Sequence, residues 1–166
     1  KPDESTTAAN LKADRWKLQF VVEPLAAETG AGGVIIAGLT GYVNHDVIPS
    51  VVYTRPEIAG VGLTEEAARE KGEIKVGKFP FLANSRAKAN QDTDGFVKVI
   101  ADAKTDRVLG VWILNTLAGT LIAEVAMAME MGASREDIAL TCHAHPTHAE
   151  AIKEAAMAVT GKPIHV

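Results

Sequence analysis

The sequence predicts an α+β fold, an antiparallel sheet covered by helices and preceded by an irregular N-terminal arm. Two observations predict it. Alternating, β-branched runs occupy the middle of the chain between residues 48 and 114, whereas helical periodicity dominates after Ala118. Strands thus come first and helices last, without the alternation that builds βαβ units. The patterns become regular only after about residue 45, so residues 1–45 are read as the arm and residues 46–166 as the domain.

Each element follows from local chemistry. Residues 1–10 are polar and expected to be loose, and Leu18-Gln19-Phe20-Val21-Val22 reads as a short strand. Gly30, Gly32, Gly33, Gly38 and Gly41 interrupt any periodicity that follows. Residues 48–54 are rich in β-branched side chains and predict a strand closed by Arg55-Pro56. Thr64 before Glu65 and Glu66 predicts a capped helix that stops at Gly72, and residues 74–81 alternate as a strand. Asp94-Gly95 is a turn signal ahead of two antiparallel strands, residues 96–100 and 108–114. Ala118, Ile122, Val125 and Met129 share one helical face, and that helix ends at Gly132. Ser134 with Asp137 predicts a second, short helix with reciprocal caps, and a last helix is expected from Thr147 to about Val159.

Composition narrows the classes of function. The 166 residues, 47% apolar and 23% charged, suffice for one domain with a core. A net charge of −4 and a pI near 5.7 argue against nucleic acid or an anionic membrane as partner. The apolar stretch at residues 34–39 is too short to span a bilayer, and no secretory signal pattern is visible. Cys142 is the sole cysteine, which excludes an internal disulfide and a four-thiolate metal site and fits a reducing compartment.

Candidate sites are each weighed against a plainer reading. The Gly30-Ala31-Gly32-Gly33-Val34-Ile35 stretch lacks the third glycine of a dinucleotide fingerprint and is read as a loop. Lys75, Lys78, Arg86, Lys88 and Lys98 are read as a solvated sheet face. The richest segment is Cys142-His143-Ala144-His145-Pro146-Thr147-His148-Ala149-Glu150. Cys142 is read as a small core residue, and a metal site built from His143, His145 and His148 is disfavoured because a helix start falls between them. His145 with Glu150 fits proton transfer: a carboxylate on one imidazole nitrogen selects the tautomer and steadies the imidazolium. Thr147 and Glu150 equally fit a capping box, and spacing alone leaves both roles for Glu150 open.

Several runs carry a resemblance. They are Asp46-Val47-Ile48-Pro49-Ser50-Val51-Val52-Tyr53-Thr54, Pro56-Glu57-Ile58-Ala59, Val76-Gly77-Lys78-Phe79-Pro80-Phe81, Ala83-Asn84-Ser85-Arg86-Ala87-Lys88, Asp92-Thr93-Asp94-Gly95, Thr105-Asp106-Arg107-Val108-Leu109-Gly110 and Cys142-His143-Ala144-His145-Pro146-Thr147. Together they resemble the C-terminal interface, or dimerisation, domain of the dihydrolipoamide dehydrogenases in the pyridine nucleotide–disulfide oxidoreductase family.

The resemblance covers about three quarters of the chain. It implies a flavin-dependent enzyme that oxidises dihydrolipoamide with NAD through FAD and an active-site disulfide. His145 would be the acid–base and Glu150 its orienting partner, reaching the disulfide of the partner subunit, with His145 and Pro146 beside that subunit's flavin. The FAD site, the NAD site and the redox cysteine pair would belong to other domains of the parent enzyme, and none of these cofactors is expected to bind this chain alone. Residues 1–45 would then include the remnant of a flavin-domain segment. A homodimer is implied, with possible membership of a 2-oxoacid dehydrogenase complex, in a bacterial cytoplasm or the mitochondrial matrix. The chain departs from the family at Asn115-Thr116-Leu117-Ala118-Gly119-Thr120-Leu121, where a Gly-Pro turn and a carboxylate are usual, and at His148, read as an exposed first-turn position. The alternative is a stand-alone dimerisation or scaffold module without redox activity.

Overall fold

The computed structural model describes residues 16–19 and 40–165, and the chain divides into two units, Lys1–His45 and Asp46–Val166. In the first unit β1 (Trp16–Gln19) pairs antiparallel with β2 (Thr40–Val43), Trp16 lying opposite Val43. The strand expected at Leu18 is therefore present as far as Gln19. Its continuation over residues 20–22 and the glycine-rich stretch from Gly30 to Ile35 lie outside the described residues.

The second unit is built on one antiparallel sheet. Its strands are β3 (Ser50–Val52), β4 (Glu57–Gly62), β5 (Ile74–Pro80), β6 (Phe96–Asp102) and β7 (Val108–Asn115), in the order β3-β4-β7-β6-β5. The helices are α1 (Glu65–Lys71), α2 (Ser85–Asn90), α3 (Ala118–Glu130), α4 (Arg135–Leu140) and α5 (Glu150–Ala158). Side chains alternate between faces along a strand, so the register sets which of them meet. Val51, Ala59, Ile113, Val97 and Phe79 form one continuous row across all five strands. All of that row belongs to the core or packs against it, as do Val61, Val111 and Val99 in the next row.

α3 lies over β4 and β7, and α5 over β5 and β6, closing that face of the sheet. The α3 residues expected to share a face, Ala118, Ile122, Val125 and Met129, are all buried. Burying one Ile or Val side chain stabilises by about 1.5–3 kcal/mol, far more than any helix-surface pair, so packing holds these helices in place. On α5 the residues Ala151, Ile152, Ala155 and Ala156 are buried, and their small size lets the helix sit close to the strands. The closest approach is at Gly77 of β5, where a Cβ atom would lie 2.2 Å from the Ala155 carbonyl oxygen and 2.5 Å from the Val159 nitrogen.

The opposite face carries Lys78, Lys98, Trp112 and Gly60 in register. Trp112 occupies the space above Gly60 and donates its indole N–H to the Leu63 carbonyl at 3.0 Å. Two lysines directly opposite each other repel. Each has its own relief: the Lys78 ammonium lies 3.7 Å from the Phe96 ring centroid, and Lys98 pairs with Glu65 at 3.2 Å. The five basic residues expected on one sheet face are thus divided, because Arg86 and Lys88 ride on α2.

The caps predicted for α1 and α4 are present. Thr64 accepts from the Ala67 N–H at the start of α1, and Ser134 and Asp137 cap α4 reciprocally. The strand expected over residues 48–54 is shorter, and β4 and α2, like β2, were not anticipated. β4 contains two glycines and few β-branched residues, so its local signal is weak; it is a strand because β3 and β7 pair with it on both edges. α2 spans only six residues, too few to show a helical period. Among the described residues no helix is long and apolar enough to cross a membrane.

The contact at Gly77 leads to a sharp contrast. Gly77→Ala is expected to destabilise the fold by about 1–3 kcal/mol, because the methyl would meet backbone rather than a side chain that can move. Gly72→Ala, where nothing lies within 4 Å, is expected to change stability by less than about 0.5 kcal/mol. Urea denaturation of the two variants beside the wild type measures the difference.

Candidate functional site: a carboxylate-held histidine before the last helix

α4 ends at Leu140 and α5 begins at Glu150, so the histidine-rich segment is the connection between two helices that pack together. The last helix starts three residues later than its sequence suggests. The Thr147 hydroxyl donates to the Ala144 carbonyl at 2.8 Å and does not cap α5. The Ala151 and Ile152 N–H groups reach back only three residues, to His148 and Ala149, which tightens the chain into a 3-10-like turn at the helix entrance. Only half of the expected capping box forms: Glu150 accepts from the Thr147 N–H at 2.8 Å through Oε2.

The other oxygen of Glu150 holds the imidazole. His145 Nδ1 lies 2.9 Å from Glu150 Oε1, and a carboxylate can only accept, so Nδ1 carries the proton and the Nε2 lone pair is left free. Glu150 thus makes both contacts that spacing left open, one with each oxygen. Burial works to raise the Glu150 carboxyl, but the Thr147 N–H and the His145 ring outweigh it, and the group is held below the ordinary carboxylate value. The His145 side chain is 59% exposed and Pro146 beside it is exposed as well.

Asn84, 63 residues before Thr147 in the chain, anchors this segment. It is buried, its side-chain oxygen caps α2 by accepting from the Ala87 N–H at 2.9 Å, and its amide donates to the Thr147 carbonyl at 2.9 Å. One side chain thus ties the start of α2 to the residue that Glu150 also holds.

The remaining histidines have different surroundings. His143 spans the Thr141 carbonyl at 3.0 Å and Glu124 of α3 at 2.7 Å. Both ring nitrogens face acceptors, and the Glu124 bond, opposed by burial, raises the imidazole above its ordinary value. His148 was expected to be exposed on a first helical turn, but it precedes the helix and only 7% of it is accessible. It packs near the Phe81 ring, 6.2 Å between centroids, and burial pushes its imidazole below the ordinary value. Its Nε2 is buried and has no hydrogen-bond partner among the described residues.

Cys142 reverses another expectation. It is exposed rather than in the core, because His143 takes the inward-facing position of this loop. No group of three or more His, Cys, Asp or Glu side chains among the described residues is arranged to hold a metal ion.

A second carboxylate–imidazole pair built on α5, not foreseen from the sequence, lies next to the first. Glu154, one helical turn after Glu150, holds His165 Nδ1 at 2.6 Å, and the His165 ring lies nearly parallel to that of His145, 6.4 Å between centroids. The i, i+4 spacing of the two glutamates was the available signal. Nothing local marks His165 as their companion.

Known proteins share this chain's sequence pattern and its fold. The profile described as "Pyridine nucleotide-disulphide oxidoreductase, dimerisation domain" matches residues 48–156. The chain is 57% identical over 143 residues to a mitochondrial dihydrolipoyl dehydrogenase of Pisum sativum, covering 85% of this chain and 28% of that protein. It is 60% identical over 132 residues to the dihydrolipoyl dehydrogenase of Trypanosoma brucei brucei, covering 79% and 28%. Among solved structures, LpdA from Mycobacterium tuberculosis superposes with a TM-score of 0.66 at 28% identity, over 72% of this chain and 26% of that one. The copper(II) complex of the HOCl-induced flavoprotein disulfide reductase RclA from Escherichia coli gives 0.64 at 34% identity, over 68% and 26%. The chain therefore spans little more than a quarter of the length of the relatives it matches.

The contrast between His143 and His148 gives opposite pH dependences. His148 has a folded pKa below the unfolded value of 6.5, so the unfolded chain binds more protons between the two; its contribution is full above 6.5 and is lost as pH falls. His143 has a raised folded pKa, so its contribution is full below 6.5 and is lost as pH rises through the raised value. His148→Leu is expected to reduce the fall in Tm between about pH 7.5 and 5.5 by about 3 °C. Thermal melts followed by circular dichroism measure it, and an unchanged slope would show that the imidazole charges without cost.

Proposed function

The chain belongs to the pyridine nucleotide-disulphide oxidoreductase family through its dimerisation domain, and from that premise we propose that it is the interface domain of a dihydrolipoamide dehydrogenase. In this reading His145 and Glu150 serve as acid–base and orienting partner at the disulfide site of a partner subunit. The observation that carries it is the 2.9 Å bond from His145 Nδ1–H to Glu150, which leaves Nε2 as a free base on an exposed ring.

The chemistry follows from that bond. A thiol must lose its proton before its sulfur attacks a disulfide, and a neutral imidazole is a suitable acceptor near neutral pH. His145 takes the proton at Nε2, and Glu150 stabilises the imidazolium through Nδ1–H. Because the Glu150 carboxyl is held low, it stays ionised while the imidazole cycles. The Thr147 N–H and Asn84 limit movement of the segment, so the base returns to the same place after each transfer.

FAD, when bound, supplies the acceptor for the dithiol's electron pair, which NAD then removes. His145 and Pro146 are exposed side by side and fit the edge of a flavin site held by another chain; they would face the group rather than hold it. A homodimer belongs to this reading. Met127 on the outer side of α3, with Met131 and Leu140 just beyond the ends of α3 and within α4, offers exposed apolar surface for such pairing. The buried face of α5 is used against the sheet. Assembly with a 2-oxoacid dehydrogenase complex, in the mitochondrial matrix or a bacterial cytoplasm, goes with the same reading.

Rapid-mixing reduction of the flavin by dihydrolipoamide in the full-length protein tests the proposal. His145→Gln is expected to slow the step by about 10²- to 10⁴-fold while flavin content is unchanged. Glu150→Gln should lose about 10- to 100-fold, since the amide keeps the Thr147 bond yet cannot steady a cation. Near-normal reduction by His145→Gln would remove the base assignment and favour a scaffold module.

A further inference from the structure

The second pair, Glu154 with His165, is built in the same way as the first. Glu150 and Glu154 are successive-turn residues of α5 and each holds the Nδ1 of an imidazole, at 2.9 and 2.6 Å. Glu154 is only 3% accessible, and a buried carboxylate needs partners on both oxygens. Its Oε1 takes His165 and its Oε2 takes the Ile164 N–H at 2.7 Å. The chain reverses at Gly161, whose φ of +70° favours glycine, and this turn brings residues 164 and 165 back along α5.

The consequence for His145 is geometric. A single hydrogen bond to Glu150 fixes one atom of an exposed ring but leaves the ring free to swivel about that bond. A second ring inclined by only 8° and 6.4 Å away removes much of that freedom, within the range of offset aromatic pairs. Each ring already gives its Nδ1–H to its own glutamate, so neither Nδ1 donates to the other ring. We propose that His165, clamped by the buried Glu154, is a positioning residue that sets the ring plane of His145 and so the direction of its Nε2. This rests on the reading of His145 as the base.

The test is made in the full-length protein, with dihydrolipoamide and NAD. His165→Asn keeps a donor for Glu154 and removes the ring. It is expected to lower kcat about tenfold with KM changed by less than about twofold, because a misaimed base slows the chemical step without altering substrate binding. A kcat within about twofold of the wild type overturns the inference. His145→Gln, measured beside it, keeps the two levels apart: if it is crippled and His165→Asn is not, only the positioning role fails. If both are near normal, the base reading fails with it. Should His165→Asn lose flavin or its dimeric mass, Glu154→Gln carries the same test. That variant retains an acceptor for the Ile164 N–H and weakens the hold on His165, so kcat should fall about fivefold at constant KM. A wild-type kcat there overturns the proposal.

Discussion

The Glu150 carboxylate has two oxygens and a separate task for each, and the rest of the site depends on both being met. One oxygen receives the Thr147 N–H at the entrance to α5, where a backbone donor would otherwise go unpaired. The other receives His145 Nδ1–H and thereby chooses the tautomer. Because a single rigid group makes both bonds, Nδ1 of the imidazole cannot shift away from Glu150 without disturbing the helix start. The helix is in turn fixed by its buried alanines and Ile152 against β5 and β6. The position of a surface imidazole is thus inherited from the packing of the sheet.

The same segment shows how environment separates chemically identical side chains. His145 is exposed and held at one nitrogen, His143 bridges two acceptors, and His148 is enclosed beside Phe81. Of the three, only His145 has its ring largely exposed to solvent. His143 and Asn84 act on either side of it, one joining the loop to α3 and the other to the start of α2. An imidazole held on a connecting loop is thereby given the restraint usually found on a helix or strand.

The sequence by itself determined the class of fold, the strands β6 and β7, the buried face of α3 and the caps of α1 and α4, because each rests on periodicity or capping chemistry within a few residues. It also determined that His145 and Glu150 stand at a separation that allows a bond. Tertiary structure decided the rest. β4 is a strand because two neighbours pair with it, and Gly60 is needed there because Trp112 fills the space above it. His148 is buried and Cys142 exposed because the turn before α5 places them so, which no spacing of residues encodes. His165 reaches His145 only after the chain has reversed at Gly161 and Glu154 has been buried, a contact made across twenty residues by packing rather than by pattern. Local chemistry is legible in order along a chain; proximity between distant side chains exists only once the core has set their places.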